Sequence, residues 1–161
     1  MRFTHPGYKI ASLVAALFIV AACSSSEPAG SGANTGVTTP GDLGATQEGL
    51  AASAGDSVFF DTDSSTLTSE GQRTLQAQAA WLAKYPAVTL TVEGHCDERG
   101  TREYNLALGE RRANSARAYL ISLGVDANRL QTVSYGKDRP FAVGSDETSW
   151  AQNRRGFSRV N

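Results

Sequence analysis

A stretch of Ser, Gly, Ala, Thr and Pro running from Ser24 to about Gly55 decides what this chain can build. Runs such as Ser24-Ser25-Ser26 and Pro28-Ala29-Gly30-Ser31-Gly32 offer almost no large apolar side chain to bury, so they cannot offset the entropy of ordering a backbone. The composition predicts a flexible leash over residues 23–55, with a root-mean-square reach of about 30 Å, and leaves residues 56–161 as the folding material. A chain of 161 residues, 40% hydrophobic and 19% charged, has room for one modest domain beside that leash, not for a porin-type barrel as well. The net charge is -1, and from Asp56 onward thirteen basic residues face thirteen acidic ones, so no basic surplus argues for nucleic acid.

Upstream of the leash, Arg2 and Lys9 precede a thirteen-residue, largely apolar run from Ile10 to Ala22. A positive start, a short apolar stretch and small residues at its end predict a secretory signal peptide over residues 1–22. As a helix that run spans about 20 Å, short of the roughly 30 Å hydrocarbon core, so it does not serve as a permanent transmembrane anchor. The junction Val20-Ala21-Ala22-Cys23 resembles the lipobox of bacterial lipoproteins, which implies cleavage before Cys23 and acylation of that residue. The alternative is ordinary cleavage near a Cys that happens to lie there. Two or more acyl chains hold a protein on a membrane where one is marginal, and Ser24 is compatible, by the habit of such lipoproteins, with the outer membrane. Lipidation of Cys23 leaves Cys96 without a partner for an internal disulfide. Cys96 is then either a free thiol nucleophile or a small half-buried residue beside a loop.

Within the folding segment, Ser57-Val58-Phe59-Phe60 reads as a short strand closed by the turn-forming Asp61-Thr62-Asp63-Ser64-Ser65. A cap at Thr68 or Ser69 opens a helix with Leu75, Ala79, Leu82 and Ala83 at helical intervals up to Tyr85-Pro86. Val88, Leu90 and Val92 alternate with Thr89, Thr91 and Glu93, which predicts a strand with one buried face running into Gly94-His95. A long helix follows, with Leu106, Gly109, Ala113, Ala116, Leu120 and Leu123 on one stripe and Gly124 as its C-terminal cap. The small residues at 109, 113 and 116 imply close packing on a neighbour. A third strand around Thr132–Tyr135, a short helix near Trp150 and a closing segment Arg155 to Asn161 complete the pattern. The expected fold is α/β, a two-layer sandwich of βαβαβ(β) type with helices packed on one face of a mixed sheet.

Charge of both signs concentrates between Glu93 and Ala113, across a strand end, a Gly-containing loop and a helix start. Unpartnered N–H groups at a helix start favour an anion, Asp97 accepts from an ammonium, and Arg112 offers a planar fork suited to a carboxylate. A ligand bearing an amine and a carboxylate on one carbon satisfies all three. Spacing alone equally allows a structural ion-pair network of Asp97, Arg99 and Arg112 around the loop.

The run from Gly94 to Ala113, with Asn105-Leu106-Ala107-Leu108-Gly109-Glu110-Arg111-Arg112-Ala113 at its heart, resembles the OmpA-like C-terminal domain family. Asp97-Glu98-Arg99-Gly100-Thr101 is more particular to that family's peptidoglycan-associated lipoproteins, and Val133-Ser134-Tyr135-Gly136, Pro140 and Asn153-Arg154-Arg155 extend the likeness over essentially residues 58–155. The resemblance implies a non-enzymatic outer-membrane lipoprotein, anchored in the inner leaflet through Cys23 and facing the periplasm. Its ligand would be the meso-diaminopimelate of peptidoglycan stem peptides. By position it implies Asp97 and Arg112 as principal contacts and Asp63 as a further polar contact, with Arg99, Thr101 and Leu108 lining the pocket. It also implies TolB and the Tol complex as partners in envelope integrity and cell division, and calls for no cofactor or metal. Two departures stand out: Gly156 to Asn161 is more polar than the family's apolar strand, so an edge strand there would be weak, and Thr62 sits where an apolar residue is common.

The competing classes are a cell-wall hydrolase using His95, Cys96 or Asp97, and a structural lipoprotein with a degenerate pocket. Adjacent His95 and Cys96 at a strand end point to opposite faces, which disfavours a nucleophile and base pair, and the three residues lack the separated spacing of a zinc site. Cys23→Ala is expected to abolish palmitate labelling and release the chain from membranes while its circular dichroism spectrum stays that of the folded domain; labelling that persists would locate the lipid elsewhere.

Overall fold

The computed structural model describes residues 43–161; the signal-peptide region, Cys23 and the leash up to residue 42 lie outside them. The strands are β1 (Ser57–Phe59), β2 (Leu90–His95), β3 (Leu130–Gly136) and β4 (Arg155–Val160), and the helices α1 (Gln47–Ala54), α2 (Ser69–Lys84), α3 (Arg102–Ser122) and α4 (Glu147–Asn153). They form one mixed sheet in the order β1-β4-β2-β3. β2 and β3 are parallel, joined by the α3 crossover, and β4 runs antiparallel to both β1 and β2. The expected α/β sandwich is therefore the fold.

Local chemistry sets the helix limits. Thr68 Oγ1 caps α2 by accepting from Gly71 N at 3.0 Å, and Thr101 Oγ1 caps α3 by accepting from Tyr104 N at 3.2 Å. α3 stops at Leu123, followed by Gly124 at φ +95°, the left-handed conformation that glycine adopts without penalty. Leu75, Leu82 and Trp81 of α2 and Ala113, Ala116 and Leu120 of α3 meet Val58, Phe60, Leu90 and Val92 in one core. α3 lies unusually close to the sheet: a Cβ at Gly94 would stand 1.8 Å from Gly109 O, and one at Gly109 would stand 2.4 Å from Ser134 Oγ. Bare backbone on both sides is what lets the helix settle onto β2.

Three expectations need correction. Order begins before Asp56, because Gln47–Ala54 is helical. Composition hides this helix, whose stability comes from tertiary contacts: Leu50 is fully buried in the core, and the Gln47 amide bridges to β4. Its Oε1 accepts from Val160 N at 2.8 Å and its Nε2 donates to Ser158 O at 3.2 Å, which completes pairing where β1 runs out. Second, the polar C-terminal segment is not a weak edge; β4 is interior, paired on both sides. Its buried Ser158 is tolerated because Ser158 Oγ donates to Gln78 Oε1 at 2.8 Å while Gln78 Nε2 donates to Gly55 O at 2.7 Å. Third, β2 is buried on both faces. Thr91, Glu93 and His95 point away from the helices but are covered by side chains of the flanking strands, such as Arg159, whose Nε donates to Glu93 Oε1 at 2.6 Å.

Leu50→Ala should lower the unfolding free energy by about 3 kcal/mol, read as a shift of the urea midpoint. A chain begun at Asp56 should lose at least as much; no loss in either would mean that α1 is not part of the cooperative unit.

Candidate functional site

At the C-terminal end of β2, where the chain passes into α3, lies a cleft of about 200 Å³. It is lined by Thr62, Asp63, Cys96, Asp97, Arg99, Gly100, Tyr104, Asn105, Leu108 and Arg112. Five of the six expected site residues, Asp63, Asp97, Arg99, Leu108 and Arg112, converge there. Thr101 does not line it; its hydroxyl is spent on capping α3. Asn105, almost fully buried, clamps the intervening loop by donating from Nδ2 to Arg99 O at 2.7 Å and Thr101 O at 3.0 Å.

Arg112 has no exposed surface. Its Nε donates to Ser64 O at 2.8 Å, one terminal nitrogen to His95 O at 2.8 Å and the other to Asp61 O at 3.1 Å, with Cys96 Sγ at 3.5 Å. These four contacts leave one N–H of Nη2 unspent, so the two-pronged carboxylate grip expected from the fork is not on offer in this arrangement. The charge is another matter. Among the described residues no carboxylate forms an ion pair with Arg112. Burial pushes its pKa below the ordinary value, yet a guanidinium starts so high that it stays cationic.

Asp97, also buried, carries the opposite sign. Its carboxylate accepts from Arg99 N at 3.1 Å, Arg99 Nε at 3.2 Å and Arg99 Nη2 at 2.7 Å, and from Arg154 Nη1 at 3.4 Å. Burial works to raise its pKa, but the hydrogen bonds and charge of Arg99, with a hydrogen bond from Arg154, outweigh it and hold Asp97 below the usual carboxylate range. The ion-pair network weighed from sequence thus exists, with Arg154 in the place foreseen for Arg112. Arg154 is fixed, donating also to Phe60 O at 3.2 Å and Glu147 Oε1 at 2.6 Å. Arg99 is half-exposed and lies over the Trp150 ring at 4.2 Å.

Asp63 takes a positive φ of 54° and accepts from the Tyr104 hydroxyl, and that hydrogen bond raises the Tyr104 pKa. Thr62 turns to the cleft, where Arg99 Nη2 reaches its hydroxyl at 3.4 Å. Sequence reasoning assigned no role to Arg154, Tyr104 or Asn105. Asn105 and Arg154 both stand in motifs that carry the resemblance, but the pairing of Arg154 with Asp97 spans 57 residues of chain and leaves no local sign.

His95 and Cys96 diverge as expected. His95 Nδ1 bonds Arg139 O at 3.1 Å on the outer face of the sheet, and burial and Arg155 together lower its pKa. Cys96 Sγ donates to Asn105 O at 3.3 Å on the cleft side, and burial raises its pKa, keeping it a thiol. Among the described residues no cluster of His, Cys, Asp and Glu fits a metal ion, and no helix is long and apolar enough to cross a membrane.

Comparison with known proteins agrees with this architecture. Residues 59–154 match the OmpA family. The peptidoglycan-associated lipoprotein of Rhizobium meliloti is 54% identical over 129 residues, covering 80% of this chain and 71% of the relative. That of Pseudomonas aeruginosa is 45% identical over 157 residues, covering 91% and 93%. Among solved structures, the peptidoglycan-associated lipoprotein of Burkholderia pseudomallei superposes with a TM-score of 0.64 at 45% identity, over 66% of this chain and 90% of that one. The C-terminal domain of Helicobacter pylori MotB shares the fold with a TM-score of 0.62 at 24% identity, over 66% and 84%. The chain belongs to the OmpA family, in the branch formed by the peptidoglycan-associated lipoproteins.

Proposed function

We propose that this chain is a lipid-anchored outer-membrane protein that holds peptidoglycan without covalent linkage, by clamping the zwitterionic end of meso-diaminopimelate in the cleft between β2 and α3. One observation carries the reading: Arg112 is a fully buried cation on the cleft wall with no carboxylate partner among the described residues. A buried charge is costly until it meets its opposite. The ligand carboxylate takes the remaining Arg112 N–H and its field, beside the start of α3. The ligand ammonium takes Asp97, entering where Arg99 now lies. The cleft has room for one amino-acid end, and the rest of the stem peptide stays outside.

The same reading places the acylated Cys23 in the inner leaflet and the domain in the periplasm, with TolB and the Tol complex as protein partners in envelope integrity and division. It is supported by the lipobox, by the family and by the names of the relatives. A binding role rather than hydrolysis is favoured by the protonated, hydrogen-bonded Cys96 and by His95 facing the opposite side of the sheet.

Full-length protein in detergent should co-sediment with diaminopimelate-type walls, and Asp97→Asn should cut retention about tenfold or more. Retention should also fall on walls with lysine in place of diaminopimelate, which lacks the distal carboxylate; equal binding by Asp97→Asn, or tight binding to lysine-type wall, would falsify the clamp. The pH profile follows from the sign of the Asp97 shift. A depressed carboxylate contributes above its unfolded value of about 3.9 and loses that contribution as pH falls through its lower folded value. Retention should therefore be level from pH 5 to 8 as far as Asp97 is concerned, both values being about one unit or more from that titration, and the acid limb of the stability curve should be shallower in Asp97→Asn.

A further inference from the structure

The sheet face that carries no helix presents arginines laid on aromatic rings. Arg139 lies 3.9 Å from the Tyr135 ring centre, and Arg155 lies between Phe141 at 4.2 Å and Phe157 at 5.1 Å. Stacking holds a guanidinium in place without neutralising it. Neither arginine has an ion-pair partner among the described residues, and neither does Lys137, whose ammonium rests on the carbonyls of Glu98 and Gly100 at 3.1 and 2.6 Å. Three nearby carboxylates pair with other arginines, Glu93 with Arg159, Asp138 with Arg102 and Glu147 with Arg154, while Asp56 and Glu93 reach Arg155 only through their fields. Phe141 is 63% exposed and Val143 92% exposed. Arginine and aromatic residues together, ringed by exposed apolar side chains, are the composition of recognition surfaces.

This face adjoins the cleft. Lys137 is bonded to Gly100 on the cleft rim, and Arg155 follows Arg154, which holds Asp97.

We propose that this cationic face is a second contact for the wall, taking carboxylates of stem peptides next to the one whose diaminopimelate end occupies the cleft. The proposal rests on the wall-binding reading above. The occupant follows from charge complementarity: three cations without an ion-pair partner among the described residues, beside a cleft that captures one residue of a polymer bearing carboxylates at each repeat. Exposed charges are weak singly, but the second contact is intramolecular once the first is made, so it adds avidity out of proportion to its strength. It is also screened by salt, unlike the buried clamp.

The test is sedimentation of the full-length protein with diaminopimelate-type walls across a salt series, comparing wild type, Asp97→Asn, the surface pair Lys137→Gln with Arg139→Gln, and all three changes together. The surface pair should lower retention about fivefold at low salt and flatten its salt dependence. Asp97→Asn should keep a residual, salt-sensitive retention that disappears in the triple variant and on walls whose carboxylates have been amidated. A surface pair that binds like wild type at every salt concentration overturns the second contact, even if Asp97→Asn abolishes binding and so upholds the clamp. Wild-type binding by Asp97→Asn, with a marked loss in the surface pair, sinks the clamp instead and leaves the face as the wall contact. Retention on poly-glutamate beads that depends on Lys137 and Arg139, without any effect of those residues on walls, assigns the face to an acidic protein and overturns the wall as its occupant.

Discussion

Arg112 is the constraint around which the site is organised. A guanidinium without solvent contact survives only if its donors are satisfied, and Arg112 finds carbonyls from two places far apart in sequence: Asp61 and Ser64 after β1, and His95 at the end of β2. It thereby ties the β1 to α2 loop to the mouth of the cleft. Its reach depends on the glycine contact one turn earlier on α3. Gly109 against Gly94 brings the helix backbone onto the strand, and a side chain at either position would lift Arg112 away from the carbonyls it joins. Close packing and the binding charge are thus one device: the same approach that completes the core delivers a cation to the cleft wall.

The anionic half is built on a different principle. Asp97 is held by two arginines of unequal burial. Arg154 is buried and fastened to Phe60 O and Glu147, so it compensates part of the carboxylate charge permanently. Arg99 is half-exposed, grips the carboxylate through Nε and Nη2 and is stacked on Trp150, so it is the one of the two arginines that solvent reaches. In the proposed clamp an incoming ammonium exchanges with Arg99 without leaving Asp97 bare, because Arg154 stays in place. The buried carboxylate then has a cation in both states, while the cation on the opposite wall, its donors held by carbonyls, gains a carboxylate only when ligand is present.

What sequence could disclose divides along the same lines. Elements with a strong period were legible: the alternation of Val88, Leu90 and Val92, the part of the α3 stripe from Gly109 to Leu120, and the Gly124 stop all show in the local pattern, although the ends foreseen for that stripe differ, Leu106 being only half-buried and Leu123 exposed. The cleft was legible because its main residues lie in one motif. The rest depended on partners distant in the chain. α1 has a single large apolar residue, Leu50, and a glutamine that pairs with β4 across more than a hundred positions. β4 looked too polar for a stable strand because Ser158 is answered by Gln78, 80 residues earlier. Arg112 looked like a free fork because nothing in a helix heptad reveals three carbonyls waiting above it.

The asymmetry between the two charges bears on selectivity and reversibility together. If the proposed clamp holds, a ligand lacking the carboxylate leaves Arg112 as it stands, with its cost unrelieved, and must displace Arg99 for no electrostatic return at that wall. One lacking the ammonium relieves Arg112 but leaves Asp97 to Arg99, and gains only half the clamp. Sites with buried polar groups reject ligands that leave those groups unpaired more strongly than apolar pockets reject a missing methylene. Release, in turn, is eased because Arg99 is on hand to refill the place at Asp97. A contact that discriminates by charge pairing yet opens by exchange of one half-exposed arginine is what the proposed reversible hold on a wall requires.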